Sequence, residues 1–446
     1  MDGGGGMTNL PKAFVERMSR QLGNELPDFL HAMEEAPLRG IRMNPLKPFE
    51  GMEVFTAGGK IPWTEDGFFL AGDSTAGATV FHEAGAFYLQ EPAAMLPAEV
   101  LDPQPWERIL DLCAAPGGKS TQIGIKMKGE GLLVCNEPVP KRAQILSRNI
   151  ERMGIPNSIV TCMVPADLPH AWDECFDGVL ADAPCSGEGM FRRDPETRRE
   201  WSEEAAAGCA KRQEEILEEA ARLVRPGGRL VYSTCTYNPA ENEGVVNRFL
   251  EKHPEFDTEA FRLPGAEGKD GTLLCLPHRM RGEGQFAALL RKKGSGEKAR
   301  FGIPFAPPDR EAARVLRETV PGLQEPNATF GNTLIRIPEC PEMKGIRVLR
   351  AGLQISEIRG KILVPDHALA LCFLQTGGVQ RTVTDAAGAA AYMAGAEIPG
   401  DAKGWTQVCF RGLNLGWGKG SGGVIKNHYP KGLRKERIRT TADPGI

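Results

Sequence analysis

A chain of 446 residues is too long for one ordinary domain, and its 41% apolar and 25% charged residues exclude intrinsic disorder. No run approaches the roughly eighteen consecutive apolar residues that span a bilayer, and the amino terminus lacks the basic and apolar regions of a signal peptide, so a cytoplasmic protein without a membrane partner is expected. A formal net charge of −4 argues against polyanion binding by the whole surface, and eleven cysteines without CxxC or Cys/His zinc-ligand spacing predict free thiols and no bound metal.

Along the chain, MDGGGGM reads as a leader without function, and Met7 offers a second start. Residues 10–33 carry a helical pattern and residues 39–48 a turn into a strand, enough for a small N-terminal module. Between about Trp106 and Cys235, short β-like runs alternate with helical patterns, the order that builds a mostly parallel sheet flanked by helices. The candidate strands are Ile109-Leu110-Asp111-Leu112, Leu132-Leu133-Val134-Cys135, Ile159-Val160-Thr161-Cys162, Gly178-Val179-Leu180-Ala181 and Arg229-Leu230-Val231-Tyr232-Ser233, and they suit an α/β, doubly wound sheet. Ile216, Leu217, Ala220, Leu223 and Val224 recur at helical spacing, with Pro226-Gly227-Gly228 as the stop. Asn238-Pro239-Ala240-Glu241 offers an N-cap, a first-turn proline and an acid, which predicts a helix starting just after Cys235. Residues 294–308, rich in Gly, Pro and charge, read as a linker, and the remainder holds up to two subdomains, the last β-like. Two basic stretches run against the acidic whole: Arg291, Lys292, Lys293, Lys298 and Arg300, and the end from Arg411, with eight Lys/Arg against two acids. Each suggests a nucleic-acid surface, with solvated faces as the plain alternative.

The motifs lie where strands end. After the first strand, Cys113-Ala114-Ala115-Pro116-Gly117-Gly118-Lys119-Ser120-Thr121 makes a glycine turn that lets a ligand approach the backbone. A phosphate loop needs glycine at position 113, where Cys113 stands, and the dinucleotide pattern GxGxxG also fails, so ATPase and hydride-transfer readings fall away. Glu137 follows the second strand, where an acid accepts hydrogen bonds from a ribose diol; with the glycine turn it points to an adenosyl cofactor. The fourth and fifth strands run into Asp182-Ala183-Pro184-Cys185 and Thr234-Cys235-Thr236, so Asp182, Cys185 and Cys235 should converge beyond the carboxyl edge of the sheet.

Thiols beside such a cofactor suit one reaction in particular. Carbon 5 of cytosine is a poor nucleophile until a thiolate adds to carbon 6; it can then take a methyl group, after which a base removes the carbon 5 proton and the thiolate leaves. A helix amino terminus just after Cys235 would raise its thiolate fraction. Most of the other cysteines, including Cys135 and Cys162, read as small core hydrophobes.

The runs LDLCAAPGGKST, ADAPCSGEGMFRRDP and VYSTCTYNPAENE, in that order, resemble the RNA 5-methylcytosine methyltransferases of the Nol1/Nop2/Sun group. The likeness extends from YLQE at Tyr88 to GEGQF at Phe286, where Gln285 replaces a frequent second aromatic. It implies a Rossmann-like core that binds S-adenosylmethionine, with Cys235 as nucleophile and Cys185 as the thiol that helps release the product. It also implies cofactor contacts by Cys113, Ala114, Ala115, Pro116, Gly117, Gly118, Lys119, Glu137, Arg142 and Asp182, with Asp167 near the adenine. Asp182 and Lys119 would also orient the base. DNA cytosine methyltransferases use the cysteine of a Pro-Cys pair, so Pro184-Cys185 keeps a rival nucleophile open, while Thr234-Cys235 favours the RNA enzymes. LPKAFVERM, RGIRMNPLK and the region from Asn414 to Arg434 resemble bacterial members acting on 16S ribosomal RNA, the last being similar to a PUA-type RNA-binding module. The implied division is an N-terminal module at 1–87, a catalytic domain at 88–293, a linker and subdomain at 294–380 and a PUA-like unit at 381–446. Trp417, Lys419, Lys426, His428, Tyr429, Lys431 and Arg434 are its candidate RNA contacts, with core packing the favoured role for Trp417. A single chain acting on 16S RNA or the small subunit is expected. Transfer RNA as substrate, or a non-catalytic assembly factor, remain the alternatives; the latter would lack Cys235 or an intact glycine loop, and both are present.

Overall fold

A computed structural model of the chain describes residues 10–70, 75–319, 325–360, 362–374 and 378–440; the MDGGGGM leader and the last residues of the basic end lie outside them. Five parallel strands, β1 Arg108–Asp111, β2 Leu132–Asn136, β3 Ser158–Thr161, β4 Phe176–Asp182 and β5 Val224–Thr234, take the spatial order 3-2-1-4-5. They coincide with the five expected runs. Alternate residues serve opposite faces: Leu110, Val134, Ile159 and Val179 join one apolar cluster, and Ile109, Leu133, Val160 and Leu180 the other. Both faces are covered, which is why these strands read as unbroken apolar runs.

The sheet does not stop at five. Strands β6 Phe256–Thr258, β7 Thr272–Cys275 and β8 Gln285–Lys292 extend it antiparallel beyond β5, and β9 Val348–Ala351 returns from the C-terminal region to pair with β3, making nine. Runs as short as β6 and β9 carry too little pattern to be read alone.

Helices α1 Lys12–Leu22 and α2 Leu26–Glu34 precede the sheet, and α3 Gly118–Lys126, α4 Pro140–Met153, α5 Glu203–Leu223 and α6 Glu243–Lys252 alternate with its strands or follow them. Helix α5 starts where the Ser202 hydroxyl accepts the Ala205 N–H at 3.0 Å, and it buries Ala206, Ala210, Gln213, Leu217 and Ala220 along one stripe. It ends at Leu223, before the expected stop, because a proline disfavours helix in the residues ahead of it. Pro226-Gly227-Gly228 instead lies within β5, where the register with β4 shifts.

A second difference bears on the chemistry. No helix starts directly after Cys235: α6 begins only at Glu243. Asn238 does cap a turn, its side-chain oxygen accepting the Ala240 N–H at 3.0 Å and its backbone carbonyl the Asn242 N–H at 3.1 Å, but Asn242, at φ −102° and ψ −100°, departs from helical angles while its amide donates to the Thr236 carbonyl at 3.0 Å. A single turn carries little of the helix dipole expected just after Cys235.

The N-terminal segment forms α1, α2 and a three-stranded sheet of Gly40–Met43, Gly67–Phe69 and Phe87–Leu89. At the other end Arg381–Val383, Ile398–Pro399, Gly404–Phe410, Leu413–Ser421 and Val424–Asn427 build a five-stranded sheet. Ile41, Phe49 and Phe81 share one buried cluster with Tyr392, Val408, Phe410 and Tyr429, so the two termini close on each other. Trp417 and Tyr429 are 1% and 3% exposed, which removes both from the expected RNA contacts. Four of the five cations in the basic run near residue 291 are met internally, Arg291 by Glu259, Lys292 by Glu174, Lys293 by Asp257 and Lys298 by Asp177, while Arg300 is exposed. A run of cations whose charges are mostly met offers little to a polyanion.

Candidate active site

Adjacent parallel strands place the two cysteines. Asp182, the last residue of β4, stands opposite Ser233 of β5, so the chain beyond each strand meets the other within a few residues. The Cys185 and Cys235 sulfurs lie 3.2 Å apart, and the Cys235 N–H points to the Cys185 sulfur at 3.3 Å. All eleven cysteines are free. Burial pushes the Cys113 thiol up, which suits a wall of the site rather than a nucleophile. Cys185 is pushed well above the ordinary thiol range by its hydrogen bond to Cys235 and then by burial.

Beneath the thiols, the Asp182 carboxylate accepts the Ser233 hydroxyl at 2.6 Å and the Lys119 ammonium at 2.8 Å. Burial alone would pull Lys119 down, but Asp182 outweighs it and the ammonium ends above its ordinary value. Lys119 is presented by α3, whose first turn needs Gly117 at φ +112°; a side chain there would be strained and would press on Leu146 at 3.2 Å. Asp111 accepts the Ser120 hydroxyl at 2.6 Å, and burial raises its acid to about 7.

A cavity of about 560 Å³ opens in front of these groups. Cys113, Ala115, Glu137, Arg142, Asp182, Cys185 and Cys235 line it, joined by Val164, Pro165 and Ala166 from the turn that carries Asp167. Asp167 itself is exposed at the end of that turn, and neither it nor Ala114, Pro116, Gly117, Gly118 and Lys119 is among the residues that line the cavity. Glu137, 1% exposed, accepts the Val139 N–H at 3.0 Å and faces Arg142 at 3.4 Å; Arg142 also donates to the Ala115 carbonyl at 3.1 Å, tying the glycine loop to the acid. Among the described residues no cluster of His, Cys, Asp and Glu could hold a metal ion, and no helix is long and apolar enough to cross a membrane.

Several residues here carried no local signal. Arg17 of α1 donates to Glu188 at 2.6 Å and to the Tyr237 carbonyl at 3.3 Å, while Glu188 also accepts the Tyr237 N–H at 3.1 Å. This ion pair bolts the N-terminal helices to both cysteine loops, above an aromatic cluster of Phe14, Phe29, Phe191 and Tyr237. Arg42, buried, reaches Gln90, the Gly118 carbonyl and Thr121, bracing α3 from the same module. Gly189 sits so close to the Cys235 loop that a Cβ would lie 2.9 Å from the Cys235 carbonyl.

The family described as 16S rRNA methyltransferase RsmB/F matches residues 98–291. The N-terminal domain of 16S rRNA methyltransferase RsmF matches residues 10–92, its first C-terminal domain residues 316–373 and its PUA domain residues 382–435. Ribosomal RNA small subunit methyltransferase F of Erwinia tasmaniensis is 31% identical, covering 96% of this chain and 97% of its own. The protein of that name from Aeromonas salmonicida is 34% identical, covering 96% and 98%. Among solved structures, a methyltransferase homolog protein from Pyrococcus horikoshii is 27% identical, covers 64% of this chain and 96% of its own, and superposes with a TM-score of 0.56. With its Rossmann-like core, its paired strand-end thiols and likeness along nearly its whole length, the chain belongs to the ribosomal RNA small subunit methyltransferase F family of S-adenosylmethionine-dependent enzymes.

Proposed function

We propose that the chain methylates carbon 5 of cytosine in 16S ribosomal RNA and that Cys235 is the attacking thiol. The observation that carries this reading is the pair of sulfurs 3.2 Å apart on the wall of a cavity that also holds Glu137 and Asp182. That cavity suits S-adenosylmethionine: it has the volume of a small-ligand site, a buried carboxylate for a ribose, and Cys113 and Ala115 of the loop after β1 on its wall. When bound, the cofactor supplies an activated methyl group. Lys119 and Asp182, fixed to each other and to Ser233, orient the base. The Cys235 sulfur adds to carbon 6, and the electron pair of the C5–C6 double bond moves to carbon 5, which takes the methyl. The carbon 5 proton then passes to a base, its bonding pair restores the double bond, and the C6–S bond breaks to return the thiolate. Cys185 assists that release.

The flanking units supply the grip on RNA, with the division at 1–87, 88–293, 294–380 and 381–446, and the enzyme acts as a single cytoplasmic chain. In the last unit Trp405, Lys419 and Lys426 stand side by side across three strands, with the Lys419 ammonium 5.5 Å from the Trp405 ring centre. Neither lysine meets an acid among the described residues. Two like charges directly opposed destabilise a sheet, and a phosphate backbone would relieve them.

The test is transfer of labelled methyl groups to small subunits, naked 16S RNA and transfer RNA in parallel, followed by nucleoside analysis. Label should appear as 5-methylcytosine in one of the 16S substrates. Label in another nucleoside, in transfer RNA alone, or in none of the three while cofactor binding is intact would overturn the reading.

A further inference from the structure

Glu241 is fully buried and faces no lysine or arginine among the described residues. Its carboxylate is met only by hydroxyls and amides, and these come from the residues that flank the cysteines. It accepts the Ser186 hydroxyl at 2.5 Å and the Ser186 N–H at 2.9 Å, one residue past Cys185. It accepts the Thr236 hydroxyl at 3.4 Å, one residue past Cys235, and the two hydroxyls lie 3.0 Å apart. Gln213 of α5 donates to the same carboxylate at 3.1 Å and to the Pro184 carbonyl at 3.0 Å, one residue before Cys185. A buried carboxylate without a cation is retained against a desolvation penalty, and this one joins both cysteine loops.

We propose that Glu241 is the positioning residue of the thiol pair, gripping the loop around Cys185 from both sides so that its sulfur stays against Cys235. This rests on the two-cysteine reading above. The carboxylate also acts through its charge. Cys185 is raised first by its bond to Cys235, then by burial, by the charge of Cys235 and by Glu241, against the Gly187 N–H. The other ionisable groups facing this pair are Tyr232 below it, the Asp182–Lys119 pair beside it, and Cys209 and Arg212 on α5. A neutral Cys185 can donate its S–H to the neighbouring sulfur, whereas two thiolates at this distance would repel and open the pair.

The experiment uses the full chain without RNA. Iodoacetamide labelling of Cys185 and Cys235 is followed separately against pH by peptide mass spectrometry, for the native protein, Glu241→Gln, Glu241→Asp and Ser186→Ala. In Glu241→Gln the midpoint for Cys185 should fall by about one pH unit and its labelling at neutral pH rise about tenfold, with Glu241→Asp restoring the native midpoint. A purely structural carboxylate would lower the melting temperature and expose buried Cys135 and Cys275 together with Cys185, without moving the midpoint. An unmoved midpoint in folded Glu241→Gln overturns the proposal. If that variant does not fold, Ser186→Ala decides: it keeps the charge and loosens the loop, so Cys185 labelling at neutral pH should rise severalfold while Cys135 and Cys275 stay protected, and native Cys185 labelling overturns the proposal. The labelling readout does not depend on Cys235 being the nucleophile, so the two readings fail separately.

Discussion

The two edges of the central sheet carry cavities of nearly equal size and opposite character. At the amino ends of the parallel strands, a cavity of about 600 Å³ is lined by charges that are largely matched: Arg229 with Glu107 at 2.6 Å, Lys126 with Glu99 at 2.7 Å and Arg291 with Glu259 at 2.6 Å. At the carboxyl ends, the cavity of about 560 Å³ holds two thiols that face each other and a carboxylate shared between a lysine and a serine. Volume does not separate the two. At one edge the polar groups complete each other and have no chemistry left; at the other they are held in place with a reactive atom toward the cavity.

Substitution at each edge should break the symmetry of size. With Cys235 as the proposed nucleophile, Cys235→Ala should reduce methyl transfer by at least about 10⁴-fold at unchanged folding. Arg229→Ala, at the opposite edge, should lower the melting temperature yet leave kcat near native in the folded protein. Near-native turnover by Cys235→Ala, or loss of turnover by folded Arg229→Ala, would reverse the assignment of the edges. Cys185→Ala comes next in size: addition proceeds and release slows, so a protein–RNA adduct that survives denaturing gel electrophoresis should accumulate. Absence of that adduct, with product formed at the native rate, would remove Cys185 from the release step.

The carboxyl edge was legible in the sequence because strand-end motifs are local: Asp111 to Thr121, Asp182 to Gly187 and Ser233 to Thr236 each announce themselves within a dozen residues. What holds these motifs is not local. Arg17 lies 171 residues from Glu188, and the Ser186–Glu241 bond spans 55, so nothing in either stretch signals the partner. The helix anticipated after Cys235 shows the converse. Asn238 and Pro239 are genuine start signals and do begin a capped turn, but Asn242, whose amide reaches back to the Thr236 carbonyl, leaves helical angles, so the regular helix waits until Glu243. In the same way the basic run at Arg291 has nucleic-acid composition and a structural role, because its acids come from elsewhere in the chain.

A third test sharpens the contrast through stability. Asp111 is fully buried at the carboxyl edge, and burial raises its acid to about 7 from an ordinary 3.8, so the fold prefers the protonated form. That preference is complete below the ordinary value and is lost as the pH rises through about 7. Native stability should therefore decline across this window by about 4 kcal/mol or less. Asp111→Asn removes the decline, so its melting temperature relative to native should rise between pH 5 and pH 8. A constant difference across that range would mean that Asp111 is ionised throughout.

The smallest effect is expected farthest from the chemistry. Lys419 and Lys426 oppose each other on the last sheet, with Trp405 beside them and no acid to neutralise either among the described residues. If they contact phosphates, replacing both with alanine should weaken binding of 16S RNA and reduce the slope of log affinity against log salt by about two, since each lost contact releases about one counterion fewer. Removing two opposed like charges should leave the fold as stable or slightly more so. The combination is diagnostic: a purely structural pair would lower the melting temperature and leave the salt slope alone, whereas an RNA-facing pair does the reverse. Because these residues lie on a module separate from the thiols, kcat at saturating RNA should remain native, and a fall in kcat would instead place this face within reach of the reacting base.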